Sequence, residues 1–165
     1  STAAPASVEP PGCERSEALE ADFSGKDPGG WAGPGVDPAT GAPRDPGEGG
    51  YVVATTRLNL STDGAELFSK HVGAILGEIQ KQPGFVAYQV GLSSKCNVAR
   101  TLSVWKDEES LYAFVTGPAH KAAMNDTSKM SRGYSNTTHF KVSRASEISW
   151  SAAARAIAGD DGPFY

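Results

Sequence analysis

Three histidines, His71, His120 and His139, are the side chains whose ordinary titration falls near neutral pH, so they are the first candidates for moving protons. None stands at the short spacing of a metal motif. The two cysteines, Cys13 and Cys96, complete no four-ligand set, and no metal site is expected. Arg57 and His139 would suit an anionic or phenolate molecule. Trp105 would give a planar ring a flat apolar surface to stack on. Each residue also has a plainer reading: Trp105 as packed core, Arg57 as a strand-face charge, His71 as a satisfied boundary histidine, and His120 as a helix-start histidine after Gly117-Pro118. The sequence has no G-x-x-x-x-G-K-[ST], no G-x-G-x-x-G after a strand, no G-x-S-x-G and no H-E-x-x-H, which disfavours nucleotide cofactors and hydrolase triads.

These residues need a scaffold, and the chain divides into two unlike parts. Residues 1–50 hold 8 of the 11 prolines, 10 of the 19 glycines and a local charge of −6, against +2 for residues 51–165. Such an arm has few large apolar residues and cannot order itself alone. It is either a disordered tail or an extended arm anchored on a domain by Phe23 and Trp31. The acidic balance, with a net charge of −4, excludes a broadly basic nucleic-acid binder, and no apolar run is long enough to span a bilayer. Ser1 to Ser7 reads as the residue of a removed leader or as a low-complexity start. Cys13 and Cys96 fall one in each part. They form a disulfide in an oxidising compartment, favouring an exported or periplasmic location, or remain two unrelated thiols in a cytoplasmic one.

From residue 51 the periodicities alternate. Residues 51–60 read as a half-buried strand, with Val52, Ala54, Leu58 and Leu60 on one face and Tyr51, Thr55, Arg57 and Asn59 on the other. Leu67, Phe68, Val72, Ile75, Leu76 and Ile79 recur at helical spacing up to about Gln82, where Pro83-Gly84 stops the helix. Residues 85–92 and 98–105 read as a hairpin. Asp107-Glu108-Glu109 opens a second helix, broken at Gly117-Pro118 and resuming from Ala119 to Met130. Residues 134–142 form a fourth strand, and residues 151–158 a short helix in a tail of residues 151–165. The order β-α-β-β-α-β gives an α+β, ferredoxin-like domain over residues 51–150, with two helices on one face of an antiparallel sheet.

The other face is where a site is expected. By parity it carries Thr55, Arg57 and Asn59, then Gln89, then Thr101, Ser103 and Trp105, and finally Thr137, His139 and Lys141. That mixture suits a cavity closed by a second sheet, or else a wet surface or polar dimer contact. A one-residue slip in register exchanges the two faces.

The segments QKQPGFVAYQV and RTLSVWKDEESLYAFVTGPAHKAAM resemble the antibiotic biosynthesis monooxygenase family over residues 50–144. The matching features are Pro83-Gly84-Phe85, Trp105, Asp107-Glu108-Glu109 and the Ala119–Met124 segment around His120. The resemblance implies a homodimeric α+β barrel, its two sheets facing one another. It also implies a small oxygenase that acts on a planar oxidisable organic molecule without flavin or metal. On that reading His120, His71 and Trp105 are the catalytic candidates, and Arg57, Asn59, Ser103 and His139 bind substrate. Two alternatives stand beside it. One is a non-catalytic binding or assembly module whose arm latches onto a partner subunit. The lesser one is a haem-binding or haem-degrading member, because the region of His120 carries the iron ligand in some relatives.

Overall fold

The structure is a computed structural model, and the residues it describes are Cys13 and 29–165. Phe23, one of the expected anchors, lies outside them. The elements are β1 (Tyr51–Asn59), α1 (Gly64–Ile79), β2 (Phe85–Ser93), β3 (Val98–Trp105), α2 (Glu108–Val115), α3 (Pro118–Asn125), α4 (Thr127–Met130), β4 (Asn136–Val142) and α5 (Trp150–Ala158), with a 3-10 turn at Ala145–Glu147. The strands form one antiparallel sheet in the order β2-β3-β1-β4, which is the expected ferredoxin-like α+β arrangement.

Local chemistry explains the boundaries. Asp107 caps α2 by accepting from Ser110 N at 2.8 Å. The break at Gly117-Pro118 puts proline at the start of α3, where its missing N–H is harmless. The free Ala119 N–H there donates to Glu78 Oε2 of α1 at 2.9 Å, so a carboxylate from one helix caps another. Helix α1 ends at Ile79 rather than Gln82, because Gln80 to Pro83 already turn toward Gly84, whose φ is +80°. Strand β4 begins at Asn136 rather than Tyr134. Tyr134 has a φ of +56°, a left-handed conformation that no strand residue holds.

Val52, Phe85, Trp105, Leu111, Phe114 and Ile79 form the core between the sheet and α1–α2. The second face of the sheet is covered as well, by the chain itself. Val53, Val86, Ala87, Leu102, Val104 and Val142 pack there against Ala153 of α5 and against Trp31, Val36 and Trp150. Thr55, Arg57 and Asn59 on β1 are each only 1% exposed. Trp31 is thus seated on the sheet, and the described part of the arm runs along the free edge of β2. Its Ala32 pairs there with Tyr88.

This covering reverses the expected faces of β3 and β4. Leu102 and Val104 are apolar because they meet the arm and α5, not the helical layer. Pairing of Ala54 with Ser103 and His139, and of Thr56 with Thr101 and Thr137, puts those polar residues on the side of α1–α4. A cross-link joins the two parts of the chain: the sulfurs of Cys13 and Cys96 lie at bonding distance, with Cα atoms 5.4 Å apart and both residues fully buried. They are 83 positions apart in sequence. Replacing both by serine should therefore lower the unfolding free energy by about 4 kcal/mol in the chain-entropy account. Chemical denaturation of the oxidised protein and the double variant checks this, and an unchanged midpoint would contradict it.

Candidate functional site

Between the sheet and the helical layer lies a cavity of about 330 Å³. Two rungs of the sheet make its floor. One carries Tyr88, Ser103, Ala54 and His139, the next Val90, Thr101, Thr56 and Thr137. Ala54 is the smallest side chain of its rung, at the centre of the sheet. Hydroxyls therefore dominate the floor. The roof is mostly apolar: Phe68, Val72, Ile75 and Leu76 from α1, Leu111 and Phe114 from α2, and Ala123 and Met124 from α3. His71 and His120 interrupt it. A flat molecule in this space meets hydrocarbon above and hydrogen-bonding groups below, the pattern of a small-molecule site.

The structure brings His71, His120, His139 and Ser103 to this one cavity. His71 Nε2 lies 2.8 Å from Asp126 Oδ2. This carboxylate, at the junction of α3 and α4, also lies 3.5 Å from the Lys129 ammonium. The hydrogen bond from His71 holds the Asp126 carboxyl below the usual carboxylate range, with Lys129 adding to the shift. Such a pair fixes the ring and leaves its second nitrogen for chemistry. His120 sits differently. Its ring meets Phe114 edge-on at 5.5 Å, and its buried Nδ1 has no hydrogen-bond partner. Burial lowers its pKa, opposed by the Val115 carbonyl and the Glu78 carboxylate, so the ring is neutral at pH 7. His139 is at the rim, T-shaped against Tyr112 at 5.9 Å and 3.7 Å from Glu108 Oε1.

Two expected site residues lie elsewhere, and a third reaches only the border of the cavity. Trp105 is fully buried on the cavity side of the sheet, one rung beyond Ser103, and does not line the cavity. Its indole N–H donates to Ser103 Oγ at 2.9 Å, and its ring stacks on Phe114 at 5.2 Å. Asn59 is structural: its side-chain amide donates to Gly133 O at 2.9 Å. Arg57 borders the cavity, but its Nε donates to Asn59 Oδ1 at 3.3 Å, on the sheet face opposite Thr56. Conversely, Thr56, Tyr88 and Asp126 belong to the site and were not singled out, while Thr101 and Thr137 were expected on the face away from the helices and lie on the cavity side. The signal was available for Thr56, which shares parity with Val52 and Ala54. A porphyrin does not fit. The cavity is at the low end of the range that houses drug-sized ligands, and a tetrapyrrole would displace a wall.

Residues 51–126 match the antibiotic biosynthesis monooxygenase family, so this segment is a domain of that family. No curated protein sequence matches the chain. Among solved structures, a conserved protein from Methanosarcina mazei Go1 is similar with a TM-score of 0.52 at 16% identity, over 56% of this chain and 92% of its own. Rv0793 from Mycobacterium tuberculosis gives 0.52 at 11% identity, over 56% and 94%. PA3566 from Pseudomonas aeruginosa gives 0.50 at 10%, over 59% and 97%. At such identities these likenesses speak for the fold alone. Among the described residues no helix is long and apolar enough to cross a membrane.

The buried neutral His120 gives a prediction about stability. The unfolded chain binds a proton at this histidine near its ordinary pKa of about 6.5, and the folded chain resists it, so acid favours unfolding. Stability should be level above that value and fall as pH drops below it. Asp126 adds its own loss at lower pH, as acid reaches its depressed folded value. Denaturation midpoints measured from neutral pH down to below the ordinary carboxylate range check this. His120→Gln should flatten the first fall and leave the second.

Proposed function

We propose that the cavity catalyses monooxygenation of a planar, oxidisable organic molecule, the substrate itself supplying the electrons. The observation that carries the reading is the His71–Asp126 pair, a histidine oriented by a carboxylate at the edge of a cavity with an apolar roof. The balance of the reaction narrows the substrate. When no other reductant takes part, the substrate must give up four electrons, as when a methylene becomes a carbonyl: R₂CH₂ + O₂ → R₂C=O + H₂O. Four electrons leave carbon and reach oxygen. One oxygen atom stays in the product and the other leaves as water. The substrate class proposed is flat, with a methylene acidified by conjugation to an oxygen-bearing ring.

His71 takes the methylene proton. The hydroxyls of Thr101 and Ser103 give neutral dipoles to the oxygen on which the resulting charge resides, while Thr56 Oγ1 donates to Thr137 Oγ1 and Thr137 Oγ1 to Thr55 O. Oxygen adds at carbon, the hydroperoxide receives the proton back, and loss of water leaves the carbonyl. The apolar roof keeps bulk water from quenching the carbanion. An assembly module is less well supported, because the described arm residues attach to their own sheet. The cysteine pair supports an oxidising compartment.

The test uses chelator-treated full chain, ¹⁸O₂ and a panel of planar enolisable aromatics beginning with anthrone, with products read by mass spectrometry. One ¹⁸O per product is expected, with water carrying the other. His71→Gln should slow turnover by about 10²–10⁴-fold. Panel members that bind in the cavity yet gain no label above the protein-free rate would overturn the reading.

A further inference from the structure

Tyr88 is where the N-terminal arm and the cavity meet. Its side chain lines the cavity, and its backbone is held on both edges. On one side it is registered with Ser103 of β3. On the other, Tyr88 N donates to Ala32 O at 2.8 Å and Ala32 N donates to Tyr88 O at 3.1 Å. Just upstream the β2–β3 register slips between Phe85 and Ala87. Such a bulge leaves part of a strand without its ladder partner and bends the chain. Here the arm supplies the partner, since Gly35 N donates to Val86 O at 2.8 Å. Downstream, the Gln89 side-chain amide donates to Gly29 O at 2.8 Å.

Close approach is what makes this seam. Gly33 has a φ of +145°, and a Cβ there would stand 2.5 Å from Val86 O and 2.7 Å from Ala87 Cα. Both are backbone atoms, which cannot rotate aside. No described residue before Ala54 lines the cavity, so the arm acts on it through the sheet, and its backbone hydrogen bonds to the sheet are made at β2. The effect has a path. The Tyr88 ring stacks on Phe85 at 6.1 Å, Phe85 tilts against Trp105 at 5.5 Å, Trp105 stacks on Phe114 at 5.2 Å, and Phe114 meets His120 at 5.5 Å. A row of packed rings thus runs from the seam to the buried imidazole. Close packing transmits displacement along such a row.

We propose that residues 29–36 are a positioning element of the cavity. By pinning the bulged edge of β2 they fix Tyr88, and through it the aromatic wall, so the shape of the site depends on a segment that never enters it. The inference rests on the cavity being a binding site, as in the reading above, but not on the reaction. Occupancy of the cavity and attachment of the arm then strengthen one another, because coupling between sites is reciprocal.

The test compares full-chain Gly33→Ala with Gly47→Ala, a control in the same arm with open space around it. The first readout needs no ligand. NMR of labelled rings should show the Tyr88 and His120 resonances displaced in Gly33→Ala, with His71 unmoved and Gly47→Ala like the wild type. Unmoved Tyr88 resonances in a variant whose Ala32 amide exchanges freely would overturn the proposal. The second readout is calorimetric binding of 1-naphthol, expected to weaken at least about fivefold in Gly33→Ala. Should that variant fail to fold, the wild type decides: saturating 1-naphthol slows exchange of the Ala32 amide, and an unchanged rate overturns the proposal. If 1-naphthol does not bind the wild type, the cavity loses its reading as a site for planar phenols, while the Tyr88 resonances still judge the arm.

Discussion

The site exists because β1 is paired on both sides in one register. Ala54 faces Ser103 and His139 across its two ladders, and Thr56 faces Thr101 and Thr137. Side chains on a strand alternate with period two, so these choices cannot be made singly. Slip one ladder by a residue and Leu102 or Thr138 replaces a floor residue, while a hydroxyl moves into the apolar layer beneath. The cavity needs the small Ala54 at the centre of the first rung, and the hydroxyl row needs the second. Both follow from how β1 meets its neighbours, before any helix is placed.

The same pairing obliges the protein to bury the other face. Val53, Leu102, Val104 and Val142 cannot be left to water, and the chain covers them with Trp31, Val36 and α5. The cover has to house charge as well. Arg100, only 2% exposed, has its pKa lowered to about 10 by burial and still carries its proton at neutral pH. It keeps that charge by donating to Thr56 O at 3.2 Å and Thr55 Oγ1 at 3.3 Å, and by lying over the Trp150 ring at 5.6 Å. The central strand is thus a buried element of a three-layer structure. An acidic, glycine- and proline-rich arm is then useful, because glycine lets backbone lie directly on backbone where a side chain would stand the layers apart.

The element order was legible because it rests on periodicity, and the helix stops at Pro83-Gly84 and Gly117-Pro118 rest on local chemistry. The facing of β3 and β4 was not. Leu102 and Val104 are as apolar as a core-facing pair, and hydropathy cannot say which of two buried sides they face. Only the strand register decides that, and it is a long-range property. Trp105 shares the face of Ser103, but Phe85, Leu111 and Phe114 enclose it, a packing that parity does not show. His71 was found from its place beside the apolar stripe of the first helix and His120 from the resemblance, both with the site expected on the other face of the sheet. Asp126 carried no local signal at all: it reaches His71 from a helix junction 55 residues away.

This distribution of charge bears on the chemistry. Asp126 and Glu108 belong to the edge of the cavity, where solvent reduces what their desolvation costs. The buried Arg57 guanidinium borders the floor and is turned to Asn59. Inside are neutral dipoles and an imidazole kept neutral by burial. A carbanion formed in such a space meets hydroxyls that can stabilise it without first ordering water. A second carboxylate would oppose its formation. A floor of threonine and serine, with a carboxylate-held histidine at the edge, stabilises the anion enough to form and leaves it reactive.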